Sequence, residues 1–275
     1  CKSSQNYFSP ANRYGTIYHY HLKNKNFGGN AMDLTTAIKH ILDGDSIILM
    51  GAGASDGAKN AFGDFPSGSK LAKDLYDLCK ITPDDKNDLQ DAAQTYEEMH
   101  SAMLLIQEIR TRLTCASFLP CHSTIYSQPW RRYYTTNYDD VALLAAKKKG
   151  VNILPVTLST DFNRFYKREH LCVHINGHIG NLNEETLHTE FKLTSDSYLS
   201  HDYISNSQWG ALLVDDLEAA KCIIILGLSL KYDLDLSRLL YTPEVKQKTL
   251  IIDRPDLSHN SEVRLSRFGT VEKSG

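Results

Sequence analysis

Residues with acid–base or hydrogen-bonding chemistry follow directly on apolar runs at five places in this 275-residue chain. They are Gly51-Ala52-Gly53-Ala54-Ser55, Asn137-Tyr138-Asp139, His174-Ile175-Asn176-Gly177-His178, Gly227-Leu228-Ser229 and Asp253. Imidazoles accept protons near neutral pH. A carboxamide and a carboxylate orient hydroxyls and support developing positive charge. Gly51 and Gly53, with only alanines around them, leave backbone N–H groups bare for a phosphate to approach. Taken singly these are ordinary signals. The G-x-G-x-x-G fingerprint fails because Asp56 stands where its third glycine would be, Asn after a strand is a common turn former, and a single His near a strand end is commonly structural. In this order they point to a dinucleotide held by backbone amides, with polar groups gathered around one of its sugars.

Such a site needs strands that end together. Ile47–Met50, Tyr133–Thr136, Val151–Val156, Leu171–Gly177, Cys222–Leu226 and Thr249–Ile252 read as strands, the first and fifth as continuous apolar runs suited to burial on both faces. Helical spacing appears from Ala31 to Ile41, where Asp43-Gly44-Asp45 stops it. It appears again up to Cys79 with Ser67 or Ser69 as cap, over 88–113 as one long helix or two, from Val141 to Lys149, from Trp209 to Ala220 and from Asp233 to Leu240. The stripe Met99, Met103 and Leu104 to Ile106 is expected in the core. The fold class that follows is α/β, a Rossmann-like open, mostly parallel sheet with helices on both faces and a helical insertion at about 84–118. Residues 1–30 are expected as an irregular arm and 31–275 as the domain. In an open sheet the ligand lies beyond the carboxyl ends of the strands. The long polar connection from Asp56 through Pro66 reads as a ligand lid.

Composition narrows the functions. A formal charge of −3 and a pI near 6.4 argue against nucleic-acid binding as the main role, and Lys147 to Lys149 read as the cationic end of a solvated helix. Six cysteines form no C-x-x-C pair, which supports neither a zinc module nor a redox motif. They read as reduced, mostly buried thiols of a cytoplasmic protein, and no metal is expected. No apolar run reaches membrane-spanning length and no signal peptide is visible. The start at Cys1 suggests a fragment or a processed chain.

With these motifs in order, the sequence resembles the sirtuin-like NAD-binding domain. The matching residues are GAGAS at 51–55, the loop containing Pro66, TTNYD at 135–139, HING at 174–177, GLSLKYDLD at 227–235 and a terminal strand ending in Asp253. It resembles the bacterial branch associated with antiviral defence, whose members hydrolyse NAD, more than the protein deacylases. The resemblance implies that Gly51, Ala52, Gly53 and Ser55 cradle the pyrophosphate. It puts Pro66 and Gly227 in the cofactor-binding set, with Ser229 and Asp253 beside the adenosine half and Asn137 and Asp139 around the nicotinamide ribose and carboxamide. NAD would be the substrate, cleaved between nicotinamide and ribose through an oxocarbenium-like state. Its cationic leaving group needs no protonation.

The chain departs from that family at the base. The family has His immediately before the glycine, where this chain has Asn176 flanked by His174 and His178. On an extended strand 174 and 176 share a face, so the pattern favours His174 as base, with Asn176 and His178 as alternatives. Asn137, His174 and Asn176 are the expected catalytic residues. Three functions compete. The first is an NAD hydrolase acting as an antiphage effector that depletes NAD, working as a homo-oligomer or with a partner defence subunit or trigger. The second is a protein deacylase, whose usual zinc module is missing. The third is a sensor or scaffold that binds NAD or ADP-ribose without turnover.

Overall fold

A computed structural model describes residues 31–83, 88–200, 204–231 and 233–274. The arm expected over residues 1–30 lies outside them. Among the described residues there are nine strands: β1 (Ser46–Met50), β2 (Lys59–Asn60), β3 (Gly63–Asp64), β4 (Arg132–Thr135), β5 (Leu154–Thr157), β6 (Leu171–His174), β7 (Cys222–Leu226), β8 (Thr249–Asp253) and β9 (Thr270–Lys273). β2 and β3 form a small antiparallel pair. The other seven make one sheet in the order β5-β6-β4-β1-β7-β8-β9, with every pair parallel.

The apolar runs explain this sheet. β1 is buried along its whole length, and its side chains alternate between two cores. Ile47 and Leu49 join Tyr134, Val173, Ile223 and Ile225 under the helices Gln208–Ala219 and Leu234–Leu240. Ile48 and Met50 join Tyr133, Cys172, Cys222 and Ile224 under the helices Leu34–Leu42, Pro120–Tyr126 and Val141–Lys147. Helices therefore cover both faces, the Rossmann-like α/β arrangement that the sequence implies. Ser67 caps the helix Gly68–Cys79 by accepting from the Lys70 N–H at 3.2 Å.

A third core lies beside the sheet. Leu71, Leu75 and Tyr76 pack with Ala92, Tyr96, Leu105, Ile109 and Leu113, and the later segment adds Ile179, Leu182, Leu187, Phe191 and Leu193. The helical stretch breaks at His100, and Ser101 caps the second helix on the Leu104 N–H, giving Leu89–Met99 and Ala102–Leu113. The break rotates the apolar stripe, so Met99 and Met103 are 53% and 62% exposed and Leu104 also faces solvent, contrary to the core expected from their spacing. The sheet also continues past Asp253. Helix His259–Leu265 leads into β9, which pairs with β8, so the strand ending at Asp253 is not terminal.

Candidate functional site

The strand order reverses at β1, which has β4 on one side and β7 on the other. Met50 is level with Thr135 and with Leu226, so these three strands end together and open a crevice at the switch point. GAGAS leaves β1 here as a short 3₁₀ turn, Ala52–Ser55. Its glycines are needed first by another loop. A Cβ on Gly51 would lie 2.6 Å from the Leu228 Cα, one on Gly53 would lie 2.9 Å from the Gly227 Cα, and one on Gly227, at φ +59°, would lie 2.3 Å from the Ala54 nitrogen. The β1 and β7 turns are interlocked backbone to backbone. Gly51 N–H donates to the Leu226 carbonyl and Gly53 N–H to the Gly227 carbonyl, both at 3.0 Å, and Ala54 N–H to the Gly51 carbonyl at 2.9 Å. The expectation of bare N–H groups along this turn is therefore corrected: three are spent inside the fold. Ala52 N–H makes no backbone hydrogen bond among the described residues.

Against this turn stands a directed hydrogen-bond chain. Asn137 Nδ2 donates to the Gly51 carbonyl at 2.9 Å and to Ser55 Oγ at 3.2 Å, and Ser55 Oγ donates to Asp139 Oδ2 at 2.9 Å. Asp139 Oδ1 accepts from the Val141 N–H at 3.0 Å, which fixes the carboxylate at the start of the following helix. Both amide hydrogens of Asn137 are engaged, so the carboxamide cannot rotate, and its Oδ1 is left to meet a ligand. Thr135 Oγ1 supports the turn by accepting the Asn137 N–H at 3.0 Å. Burial pushes the Asp139 carboxyl up to about 6, against the pull of the Val141 N–H and the Ser55 hydroxyl. Tyr126 closes the floor, its hydroxyl donating to the Ala54 carbonyl at 2.6 Å.

The end of β6 supplies the imidazoles. His174 Nδ1 lies 3.0 Å from the Asn137 carbonyl, an acceptor only, so this nitrogen carries the proton and Nε2 keeps its lone pair. His178 folds back, its ring centroid 4.4 Å from that of His174. Burial pushes His174 down to about 3, helped by His178, and pushes His178 down to about 4, so both rings are neutral at neutral pH. Asn176 Nδ2 donates to the Thr136 carbonyl at 3.3 Å and to Asp233 Oδ1 at 3.4 Å. Among the described residues, His174 Nε2, His178 Nε2 and Asn176 Oδ1 are buried without partners. Orphaned buried polar atoms are uncommon, and three within five residues mark a place built for a polar ligand or water.

Asp233 reaches Asn176 from the far side. β6 and β7 are three strand spacings apart, roughly 14 Å, so the stretch 227–231 carries the chain across the ends of β1 and β4 towards Asp233. Leu228 and Leu230 anchor it in the core, Leu230 in a left-handed conformation at φ +52°. Lys192 completes this wall. Its N–H donates to the Asn176 carbonyl at 3.1 Å and its carbonyl accepts the Tyr138 hydroxyl at 2.6 Å. Burial lowers the Lys192 ammonium while Asp235 and Asp233 pull the other way, and burial raises the Asp233 carboxyl against Asn176 and Lys192.

The fold thus gathers Gly51, Gly53, Ser55, Asn137, Asp139, His174, Asn176 and Gly227. Ser229 and Asp253 stand apart at the ends of β7 and β8, bonded locally: Ser229 Oγ accepts from the Lys231 N–H at 3.4 Å and Asp253 Oδ1 from the Arg254 N–H at 2.8 Å. Pro66 lies half-buried in the connection before helix Gly68–Cys79 and makes no hydrogen bond to the cluster. Asp233 and Lys192 were missed from sequence. Asp233 lay inside the GLSLKYDLD motif, whereas Lys192 sits in a polar stretch with no periodic signal. Among the described residues no group of three or more His, Cys, Asp or Glu side chains comes together as a metal site, and no helix is long and apolar enough to cross a membrane.

No family model matches this sequence, and no curated protein matches it. Among solved structures it is similar to one from a study of the mechanism and regulation of Sir2 enzymes, at 11% identity and a TM-score of 0.46, covering 88% of this chain and 92% of that one. It is also similar to a Sir2 homologue in complex with NAD, at 14% identity and a TM-score of 0.44, covering 90% of each.

Proposed function

We propose that this crevice binds NAD and hydrolyses the bond between nicotinamide and its ribose, releasing nicotinamide and ADP-ribose. The observation that carries the reading is the chain Asn137–Ser55–Asp139 beside the His174 imidazole, at the switch point of a parallel sheet. Cleaving this bond needs no acid, because the departing pyridinium becomes neutral by taking the bonding electrons. It needs an oriented water, a proton acceptor and negative charge near the ribose ring. Asn137 Oδ1 orients the water. His174 Nε2 takes its proton, and Asp139, acting through Ser55, supplies negative charge above its raised pKa. The orphaned acceptors His174 Nε2 and Asn176 Oδ1 suit the hydroxyl donors of a ribose. Ala52 N–H is the donor on the GAGAS turn available to the pyrophosphate, with Gly51, Gly53, Ser55 and Gly227 setting the turn. Ser229 and Asp253 fall to the adenosine half, and Pro66 belongs to the cofactor-binding set. The sequence resemblance supports NAD depletion in antiviral defence as the wider role, with a homo-oligomer or partner subunit and a trigger.

The reading without turnover has its own observation: His174 is enclosed, and burial makes it a weak base. A deacylase is the third reading; its usual zinc module needs C-x-x-C pairs, which the sequence lacks. Incubating the protein with NAD, with and without an acetylated peptide, separates the three. Nicotinamide release without peptide supports hydrolysis, strict peptide dependence supports deacylation, and binding without release supports the sensor.

A further inference from the structure

A base that is enclosed has to discharge its proton through a neighbour. His174 is 1% exposed, with Nδ1 committed to the Asn137 carbonyl and Nε2 shut off from solvent. In contact with it is the ring of His178, 4.4 Å between centroids and 56° between planes. His178 is 9% exposed, and its Nε2, not its Nδ1, is the enclosed orphan atom. Its ring therefore has one enclosed nitrogen and one that reaches the surface. Gly180 leaves room for the ring, since a Cβ there would lie 2.8 Å from His178 Cε1 and 3.0 Å from its Nδ1.

We propose that His178 is the proton exit of the site, taking from His174 the proton that the attacking water gives up and passing it to solvent. The inference rests on the hydrolytic reading above and names a residue which that reading leaves idle. The C–N bond breaks with its electron pair going to nicotinamide, and the water oxygen forms the new bond to the ribose carbon. The water proton moves to His174 Nε2, giving an imidazolium. That proton then passes to His178 Nε2 directly or over one water, and His178 releases its Nδ1 proton to solvent, which leaves two neutral rings with His178 as its Nε2–H tautomer; a flip of the His178 ring and proton exchange with solvent return the Nδ1–H form before the next turnover. This role of His178 needs no contact with the substrate, because it acts through His174, with a water at its orphaned Nε2.

The test uses the whole protein, NAD and a fixed pH. In His178→Ala the first turnover, followed by rapid quench, is expected at the rate of the unaltered protein, because His174 still accepts one proton. Steady-state release is expected to fall at least tenfold with KM for NAD unchanged, and to recover saturably as imidazole buffer is added. His178→Gln, which keeps volume and polarity, is expected to show the same fall without recovery, and it serves if the alanine variant does not fold. Unchanged steady-state release in both variants, or a loss that appears equally in the first turnover and ignores imidazole, overturns the proton-exit role. An unaltered protein that binds NAD and releases no nicotinamide overturns the hydrolytic reading and this inference with it, a result distinct from an active protein indifferent to His178.

Discussion

Gly227→Ala adds one methyl group and tests whether the two glycine turns hold each other. The new Cβ would lie 2.3 Å from both the Ala54 nitrogen and the Gly53 carbonyl carbon, and 2.6 Å from the Gly53 Cα. All three are backbone atoms, so no side chain can swing away. Holding alanine at φ +59° costs about 1–2 kcal/mol. Forcing extra volume into a packed contact costs about 1–3 kcal/mol more. Relief by moving the loop would break the 3.0 Å bond from Gly53 N–H to the Gly227 carbonyl. The expected loss is therefore about 2–5 kcal/mol in urea unfolding at constant m-value, with nicotinamide release lost in the protein that remains folded. Gly68→Ala is the control. It stands at the start of a helix with nothing within 4 Å of a new Cβ, and a gain of about 0.4–1 kcal/mol is expected. A Gly227→Ala protein within about 0.5 kcal/mol of the parent would refute the interlock.

Asp139 predicts a pH effect with a definite sign. Its folded pKa of about 6 lies above the ordinary 3.8, so the unfolded chain gives up its proton first and stability falls as pH rises through that window, by about 3 kcal/mol at most. His174 and His178, lowered by burial, act in the opposite direction over an overlapping range, so the difference between Asp139→Asn and the parent, measured by urea unfolding at several pH values, isolates the carboxyl. Asp216 is buried between Arg131 Nε at 3.0 Å, Arg132 Nε at 2.6 Å and the Tyr134 hydroxyl at 2.7 Å. Asp216→Ala is expected to cost about 3–5 kcal/mol by leaving the largely buried Arg132 guanidinium and the buried Tyr134 hydroxyl unpaired, the 43% exposed Arg131 adding little, with Asp216→Asn milder and no change in KM for NAD.

Much of this was legible because burial on both faces writes a strand as an apolar run. Ile47 to Met50 and Cys222 to Leu226 announce central strands, and the polar residues after them fall at one crevice because parallel strands of similar length end level. β9 was not legible, since Thr270-Val271-Glu272-Lys273 is a half-exposed edge with no apolar run. Met99 and Met103 were misplaced because periodicity carries no information on where a helix breaks, and His100-Ser101 resets the phase. The glycines of GAGAS were read as room for a phosphate, whereas their first demand is from Gly227, a residue far away in sequence. Asp233 and Lys192 meet Asn176 only through the fold, and no local pattern marks such a wall.

The central claim is that Asn137 and its neighbours cleave NAD. Nicotinamide release from NAD by the purified protein without peptide, compared between the parent and Asn137→Ala at matched folded concentration, tests it most directly. The account predicts release by the parent and a fall of about 10²–10³ in kcat for the variant, the size expected when an orienting group in the site is lost. Equal release by the two proteins would contradict it.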